Sequence, residues 1–528
     1  MVKGANGTPD AGLRSLNHYR NQLPSWRYWP RQQLLPLIRY ETPYLAWCQE
    51  KVRTPALDSF FAFTANLGTH TFFMVFLPIL FWCGHTNLGR AMVDILATGV
   101  FVSGFIKDLL CLPRPLSPPL QRITMSGSAA LEYGFPSTHS TNAVSVAVYG
   151  LALLNAPDST LNPQLNIALQ GITYFYVASI VLGRLYCGMH GFFDCIIGCA
   201  LGTLLALVQY TFDAEIHEFA DSANALQVAF FVVIVLICVR IHPEPADDCP
   251  CFDDSVAFAA VLLGTQVGYW HVALRSAEGD YRGHLPNGLA DMGILKTTLR
   301  LVFGVLLLFA WRGMSKPFLL RVLPPVFRGL EKVGLILPRR FFTNASQYTK
   351  VPAHLKDKEV LPSFSDIPSI ITTLRHPRRR AISVGPQSEA DAYETLAYRE
   401  KRRRESLSGN RTSPGVDVSP GPPTEGSAQK LSRKQSKLHE YENMMGTGSP
   451  RIATGVDAGS GSGEPSLTEP FPLLEPEEPD EEEMFAQIKR PRVRYDVEVI
   501  TKLVVYSGIA WIVVEGAPIL FDLVGLMP

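Results

Sequence analysis

Residues 72–82 read FFMVFLPILFW, eleven positions without a single charged side chain. A run this apolar is costly to expose to water and is typical of the centre of a membrane-spanning helix. The stretch does not stand alone, since 47% of the 528 residues are hydrophobic and only 18% are charged. This composition is too apolar for an ordinary soluble multidomain protein and predicts a protein embedded in a bilayer.

Further segments on both sides of this stretch have the length and hydrophobicity of spanning helices. They lie near 60–82, 92–112, 138–154, 165–185, 192–212, 225–241, 256–274, 295–311 and 497–524. Lipid cannot satisfy the polar edges of an open sheet, so an all-α fold is expected. The sequence therefore predicts a polytopic membrane bundle of about 8–9 transmembrane helices with a long disordered linker.

Composition divides the chain into five parts. The predicted parts are a basic N-terminal segment (1–57), a membrane core (58–312), an amphipathic interfacial segment (313–351), the linker (352–495) and a C-terminal transmembrane helix (496–528). The linker contains HPRRR, GSGSGEPS and EPEEPDEEE. Sequence so rich in Pro, Gly, Ser and blocks of charge cannot bury a core, which predicts disorder.

Charge and cysteine usage exclude several classes of function. Lys+Arg and Asp+Glu both number 48, so net charge gives no indication of a nucleic-acid partner. The nine cysteines lie mostly within apolar runs, and Cys249 and Cys251 are too close in sequence for an ordinary disulfide. No second Cys/His pair accompanies them, so we expect neither a metal nor another cofactor.

Three charged clusters lie at the edges of predicted helices, where charge is costly and therefore indicates function. The first is KDLLCLPRP, with Lys107 inside an apolar run and Arg114 in a loop favoured by the flanking prolines. Two cations held close together need an anion between them. Alternatively, both side chains extend to the lipid headgroups.

The second cluster, GFPSTHS, opens the third predicted helix with Ser137, Thr138 and His139. The N–H groups at a helix N-terminus bind phosphate well, and His139 can donate a proton to a leaving group there. The alternative is an ordinary capping sequence with a lone histidine.

The third cluster is GRLYCGMHGFFD, residues 183–194. Arg184 can bind phosphate through two hydrogen bonds. His190 and Asp194 are spaced i, i+4, so the carboxylate can hold one imidazole nitrogen and leave the other free to attack. The alternative is a buried hydrogen bond that locks two helices together.

If the helices alternate in direction, all three clusters meet on one membrane face. Lys107, Arg114 and Arg184 then supply positive charge, Ser137 supplies a neutral donor, and two histidines remain for chemistry. An anion pocket with a nucleophile and an acid predicts phosphoryl transfer.

The patterns K-x6-R-P, P-S-x-H and R-x5-H-x3-D, in this order, resemble the type 2 phosphatidic acid phosphatase superfamily, which includes lipid phosphate phosphatases and vanadium haloperoxidases. Thr138 stands where Gly is usual, and Gly183 where Ser often precedes the arginine. Together with HPEPADDCPCFDDSVAF (242–258), the motifs look closest to the fungal sphingosine-1-phosphate and dihydrosphingosine-1-phosphate phosphatases. The resemblance covers roughly residues 55–312.

The resemblance implies a metal-independent hydrolase of the endoplasmic reticulum membrane, with a lumenal active site and long-chain-base 1-phosphates as substrates. It implies that His190 forms a phosphohistidine, that Asp194 orients it, and that His139 acts as acid and then as base. The phosphate would be bound by Lys107, Arg114, Ser137, Thr138 and Arg184. A broad phosphatidate phosphatase, a membrane phosphotransferase and a transporter lined by the charged clusters stay open as alternatives.

Two further features allow opposite interpretations. The acidic side chains in the 244–254 loop could attract a sphingoid ammonium or simply form a solvated loop; they are Glu244, Asp247, Asp248, Asp253 and Asp254. Residues 1–57 hold eight Lys/Arg against three acids, which favours a cytoplasmic N-terminus and, two helices later, a cytoplasmic site. By the helix count, the sequons at Asn6, Asn344 and Asn410 lie on the same side of the membrane as the site, which favours the lumen. An additional helix or re-entrant segment near residues 34–47 would also reconcile the basic N-terminus with a lumenal site.

Overall fold

The structure is a computed structural model. It describes residues 11–14, 16–68, 70–117, 119–123, 132–157, 161–247, 249–277, 293–335, 342–349, 351 and 494–526. Except for its last two residues, the predicted linker lies outside the described residues, as do Asp248, Asn6 and Asn410.

Helices form most of the described chain, which confirms the all-α prediction. In chain order they are α1 (Leu16–Gln22), α2 (Ser25–Val52), α3 (Pro55–Thr64), α4 (His70–Trp82), α5 (Thr86–Leu110), α6 (Thr138–Leu154), α7 (Pro163–Tyr186), α8 (Phe192–Thr211), α9 (Asp213–Ser222), α10 (Ala225–Ile241), α11 (Cys251–Ala277), α12 (Gly293–Lys332), α13 (Val497–Trp511) and α14 (Ala517–Leu523). A π-helical turn, Ile512–Gly516, joins α13 to α14. Two short strands, β1 (Phe342–Thr343) and β2 (Arg494–Tyr495), pair in parallel.

Five helical segments of the described chain are long and apolar enough to cross a membrane, which makes the chain a multi-pass membrane protein. They are Pro163–Tyr186, Phe192–Thr211, Cys251–Ala277, Gly293–Lys332 and Val497–Leu523. Other predicted spans do not meet this criterion for identifiable reasons. Helix α5 carries four charged residues, and the 60–82 span is two helices joined by a 3₁₀ turn at Ala65–Gly68.

Helix α12 continues through the predicted boundary between residues 312 and 313 and ends only at Lys332, although it contains three prolines. The basic stretch that looked like a separate interfacial segment therefore begins as the second half of this helix. After it, β1 pairs with β2, so the two ends of the predicted linker lie side by side.

The C-terminal helix α13 belongs to the core of the bundle. An added Cβ at Gly264 on α11 would overlap the carbonyl oxygen of Ser507, and one at Gly508 would overlap the indole of Trp311. Small residues therefore let α13 approach the backbone of α11 and the side chains of α12 closely. Such close approach is a common way for helices to pack in lipid, where burial of apolar surface supplies little driving force.

We expect Gly264→Ala to lower the midpoint of thermal unfolding in detergent by several degrees, because the obstructing atom belongs to a backbone that cannot rotate away. Gly313→Ala is the matched control, since a Cβ there meets nothing within 4 Å. Equal midpoints for the two variants would contradict the close packing of α13 on α11.

One end of the bundle collects four helix termini, and we call it the site end: the C-termini of α5 and α7 and the N-termini of α6 and α8. The backbone N–H of Ser137 donates to the carbonyl of Asp194 at 3.0 Å, which ties α6 to α8. Helix α2 lies across this end. Arg27 donates to the carbonyls of Asp108 and Leu109 at the end of α5.

Candidate active site

The turn between α7 and α8 holds His190 beside Asp194. The backbone N–H of Met189 donates to the carbonyl of Arg184 at 3.1 Å, so the C-terminus of α7 shapes the turn. Asp194 Oδ2 accepts from the N–H of Gly191 at 2.9 Å and lies 3.6 Å from His190 Nδ1. The predicted i, i+4 pair is therefore adjacent, at a distance slightly longer than a hydrogen bond. Catalytic contacts of this kind often shorten when substrate binds.

Arg114 reaches the same turn from the loop after α5. Cys111 ends α5 with φ of 52°, in the left-handed region, and the chain turns back toward the bundle. Arg114 Nη1 donates to the carbonyl of Met189 at 2.7 Å and lies 3.2 Å from His190 Nε2. The imidazole is thus placed between a carboxylate at Nδ1 and a guanidinium at Nε2.

The N-terminus of α6 forms a further wall. Ser137 is the N-cap residue, and its Oγ accepts from the N–H of Ser140 at 3.3 Å. Thr138 Oγ1 accepts from the hydroxyl of Ser103 at 3.0 Å. His139 lies half-buried in the first turn. The backbone N–H groups of this turn are suited to an anion, as the sequence motif predicts.

Two more cations complete the cluster. Lys107 and Arg184 are buried, and Arg184 Nε has no hydrogen-bond partner among the described residues. A buried donor without a partner indicates a missing acceptor. Burial, followed by the charges of Arg114 and Lys107, lowers the pKa of His190 well below its usual range. This shift favours the neutral form of the imidazole.

All eight predicted residues thus lie at the site end, although their separations in the sequence are large. Their individual roles stay predictions.

One cluster of potential metal ligands occurs in the described part of the chain, formed by Asp108, Cys249 and Cys251. The structure joins the two cysteines in a disulfide that the sequence analysis considered too tight, because the turn at Pro250 holds their Cα atoms 5.5 Å apart, within the usual range.

Comparison with known proteins agrees with this geometry. Residues 89–217 match the PAP2 superfamily. A dihydrosphingosine 1-phosphate phosphatase of Schizosaccharomyces pombe is 40% identical over 322 residues, which cover 61% of this chain and 77% of that protein. The chain belongs to the PAP2 superfamily. The resemblance seen in its motifs is confirmed, and the matched residues span α5 to α8 and include all eight predicted site residues.

Two further relatives are also named as phosphatases of sphingosine-type 1-phosphates. A dihydrosphingosine 1-phosphate phosphatase of Saccharomyces cerevisiae is 34% identical over 261 residues, or 49% of this chain and 64% of that protein. Sphingosine-1-phosphate phosphatase 2 of Mus musculus is 27% identical over 299 residues, or 54% of this chain and 82% of that protein. No solved structure matches this PAP2 chain.

The structure explains one departure from the usual PAP2 pattern. Gly183 lies on α7 against Phe61, and an added Cβ would come within 3.0 Å of the Phe61 ring. The more usual serine would therefore press on this ring. Glycine has no side-chain hydroxyl, so position 183 cannot donate a hydrogen bond to a phosphate from its side chain.

Neither interpretation of the acidic loop holds for two of its carboxylates. Asp247 is buried, and its Oδ2 accepts from the N–H of Gly12 at 2.9 Å and the hydroxyl of Tyr19 at 2.8 Å. Asp253 forms ion pairs with Lys502 and Arg494. These groups are neither solvated nor available to a substrate ammonium. Asp247 binds the N-terminal segment of this PAP2 chain, and Asp253 binds the segment that begins at Arg494.

Glu41 on α2 is a site-end residue that the sequence analysis missed. Its Oε2 accepts from the N–H of Phe193 at 3.0 Å, at the N-terminus of α8. An added Cβ at Gly191 would overlap Glu41 Oε1, so any larger residue after His190 would require the Glu41 side chain to move. No local pattern marks Glu41, because its contact lies 152 residues away.

We expect Glu41→Gln to change how stability depends on pH. Burial, and to a smaller extent the charge of Asp194, raises the pKa of Glu41 from 4.5 to about 7. The folded state then binds this proton more tightly than the unfolded state, so wild-type stability falls as pH rises from about 4.5 to 7. The Gln variant keeps an acceptor for Phe193 but cannot ionise, so its unfolding midpoint should rise relative to wild type between pH 5 and pH 8.

Thermal unfolding at both pH values, in one detergent, measures this difference. Glu50→Gln is the matched control, since Glu50 is exposed on the same helix. A difference between wild type and Glu41→Gln that does not vary with pH would contradict the raised pKa.

Proposed function

We propose that this protein hydrolyses long-chain-base 1-phosphates, such as dihydrosphingosine 1-phosphate, to the free base and inorganic phosphate without a metal ion. The observation that carries the proposal is the placement of His190, with Asp194 at Nδ1 and Arg114 3.2 Å from Nε2. The names of the fungal relatives support the substrate class.

In the first step, His190 Nε2 attacks phosphorus and the bond from phosphorus to the lipid oxygen breaks. His139 donates a proton to the departing alkoxide. Asp194 holds the Nδ1 side of the ring and offsets the positive charge that develops on it. The product of this step is a phosphohistidine and the free base.

In the second step, water attacks the phosphohistidine while His139 accepts its proton. The phosphorus–nitrogen bond breaks, inorganic phosphate leaves, and His190 returns to its neutral form. In both steps charge develops on the phosphoryl oxygens, and donors already in position stabilise it. The proposed donors are Lys107, Arg114, Ser137, Thr138 and Arg184.

We also propose the membrane arrangement that the sequence predicts. Eight to nine spans, counted with α5, α6, α10 and the α3–α4 pair, give helices that alternate in direction and keep the site end on one face. In the five-part division, the core (58–312) carries the chemistry and the linker (352–495) does not. We place the protein in the endoplasmic reticulum membrane with the site end in the lumen, which is the face of the Asn344 sequon.

Phosphate release by the purified full-length protein tests the function. In EDTA, kcat/KM should be higher for dihydrosphingosine 1-phosphate than for its N-acylated analogue or phosphatidate in the same micelles, and vanadate should inhibit. Equal values for the three lipids would favour a broad lipid phosphatase. Transfer of phosphate to an added alcohol in preference to water would favour a phosphotransferase.

A further inference from the structure

A carboxylate that the mechanism does not use lies at the phosphate pocket. Glu132 Oε2 accepts from Arg114 Nη2 at 3.0 Å, and the carbonyl of Glu132 accepts from Arg114 Nε at 3.2 Å. The other terminal nitrogen of the same guanidinium, Nη1, faces His190. The Glu132 side chain is 24% exposed whereas that of Arg114 is 5% exposed, so Glu132 lies on the outer side of the pocket.

This carboxylate imposes an electrostatic condition on the ligand. Its charge acts on Lys107, Arg114 and Arg184, so it lies close to all three cations that would bind phosphate. A phosphate that binds there meets a negative charge already in place, and like charges at short range repel strongly where water is excluded. A ligand that carries its own cation next to the phosphate offsets this repulsion.

A sphingoid 1-phosphate has such a cation. Its ammonium nitrogen and its phosphorus are separated by four covalent bonds, about 4–5 Å by standard bond lengths. Arg114 Nη1 and Nη2 are bonded to the same carbon, so a ligand held on the His190 side of the guanidinium lies near the Glu132 carboxylate on the other side. Phosphatidate has no amine and leaves the carboxylate without a cationic partner from the ligand.

We propose that Glu132 binds the ammonium group of the substrate while Arg114 binds its phosphate, so that the pocket selects amino-alcohol phosphates. The proposal rests on the proposed phosphatase function and names the group that determines its specificity. Glu132, and not the acidic side chains of the 244–254 loop, would then attract the ammonium, because Glu132 directly contacts the phosphate-binding arginine.

The test compares wild type and Glu132→Gln on two substrates: dihydrosphingosine 1-phosphate and its 2-desamino analogue. We expect Glu132→Gln to lower kcat/KM for the amine substrate about tenfold or more, the usual scale for a lost charge-assisted contact, and to leave the desamino substrate unchanged or faster. Glu132→Asp, which keeps the charge, should retain most of the preference for the amine.

An equal fall for both substrates would overturn the proposal, because Glu132 would then only position Arg114. Glu50→Gln serves as the control for removal of a carboxylate outside the pocket, since Glu50 is exposed on α2. A wild-type protein that hydrolyses neither substrate would overturn the proposed function itself, which is a distinguishable result.

A second, independent observation concerns the outer face of α2. Six large apolar side chains are exposed there, and all lie within an arc of roughly 80° at 100° per residue. They are Trp26 (67% exposed), Trp29, Leu37, Tyr40, Tyr44 and Trp47. We call them the aromatic stripe.

The opposite face of α2 is buried, and five of its eight buried side chains are polar or charged. Arg31 Nε donates to the carbonyl of Cys111 at 3.2 Å, and Gln49 Nε2 donates to the carbonyls of Gln121 and Tyr186 at 2.7 and 2.9 Å. A surface helix of a water-soluble protein has the reverse arrangement, with its apolar side inward. Trp and Tyr are the residues enriched where lipid headgroups meet acyl chains.

We infer that the aromatic stripe lies in the headgroup layer of the protein's own membrane, so that α2 runs along the bilayer surface at the site end. Helix α2 contacts α7 and α8, whose exposed apolar side chains include Leu182 and Ile196, so one lipid surface would cover the stripe and both helices. Because α2 also carries Glu41, this contact would hold the His190 turn at the depth of a lipid phosphate.

The test places the photoreactive residue benzoylphenylalanine at Tyr40 or at Trp29 in the full-length protein in membranes. We expect phospholipid adducts from both positions and none from the control at Glu50, which lies outside the stripe. Adducts to protein alone, or no phospholipid adduct from either position, would overturn the inference. The experiment needs no enzymatic activity.

Discussion

The His190→Ala protein should release no measurable phosphate from any lipid substrate, a loss of about 10⁴-fold or more. The described part of the site end offers no second nitrogen with the same surroundings, namely Asp194 on one side of the ring and Arg114 on the other. Without the covalent intermediate, water would have to attack directly. Initial rates with dihydrosphingosine 1-phosphate, at matched amounts of folded protein, measure the effect.

His85→Ala is the matched control, because His85 is exposed at the end of α5 opposite the site. It should retain full activity. His139→Ala should strongly slow the hydrolysis of a lipid phosphate, because its alkoxide needs a proton to leave. It should slow the hydrolysis of a nitrophenyl phosphate only slightly, since nitrophenolate leaves without a proton. Residual turnover by His190→Ala within a hundredfold of wild type would rule out the phosphohistidine.

Arg114→Lys should lower kcat/KM by about 10²–10³-fold, although the formal charge is unchanged. The guanidinium contacts the Met189 carbonyl, His190 Nε2 and the Glu132 carboxylate at the same time. The single ammonium nitrogen of lysine cannot reach all three of the divergent partners that the planar guanidinium contacts. At least one partner would therefore be left unsatisfied. The same initial-rate assay measures the loss.

Arg53→Lys is the control for this substitution, because Arg53 forms a partly exposed ion pair with Asp58. It should change kcat/KM by less than about twofold, as exposed ion pairs contribute little. An Arg114→Lys enzyme that also stays within about threefold of wild type would show that charge alone, without the fork geometry, satisfies the pocket.

Local pattern was enough to predict most of the apolar helices and the motif residues. The predicted spans 138–154 and 225–241 coincide with α6 and α10, because an uninterrupted apolar run bounded by polar residues determines where such a helix begins and ends. The i, i+4 spacing of His190 and Asp194 likewise predicts their proximity. Alternating helix direction then brings Lys107, Arg114 and Arg184 to one end.

Tertiary structure alone decided the contacts between distant polar groups. Glu41 meets Phe193 across 152 residues, and Asp247 meets Gly12 across 235. Neither carboxylate belongs to a periodic pattern, and each looks like a solvated group in the sequence. A buried carboxylate without hydrogen-bond partners is costly, and only the folded chain determines which donors are within reach.

The N-terminal segment shows most clearly what the sequence alone could not predict. In the sequence, residues 1–57 are polar and basic, and their charge suggested only an orientation signal. In the structure, the arginines of α2 bind carbonyls at the end of α5 while its aromatic side chains point outward. Hydrophobic periodicity locates the two faces of a helix, but it does not state which face meets protein and which meets lipid. That assignment depends on the unsatisfied carbonyls at the ends of neighbouring helices, which exist only once the bundle has formed.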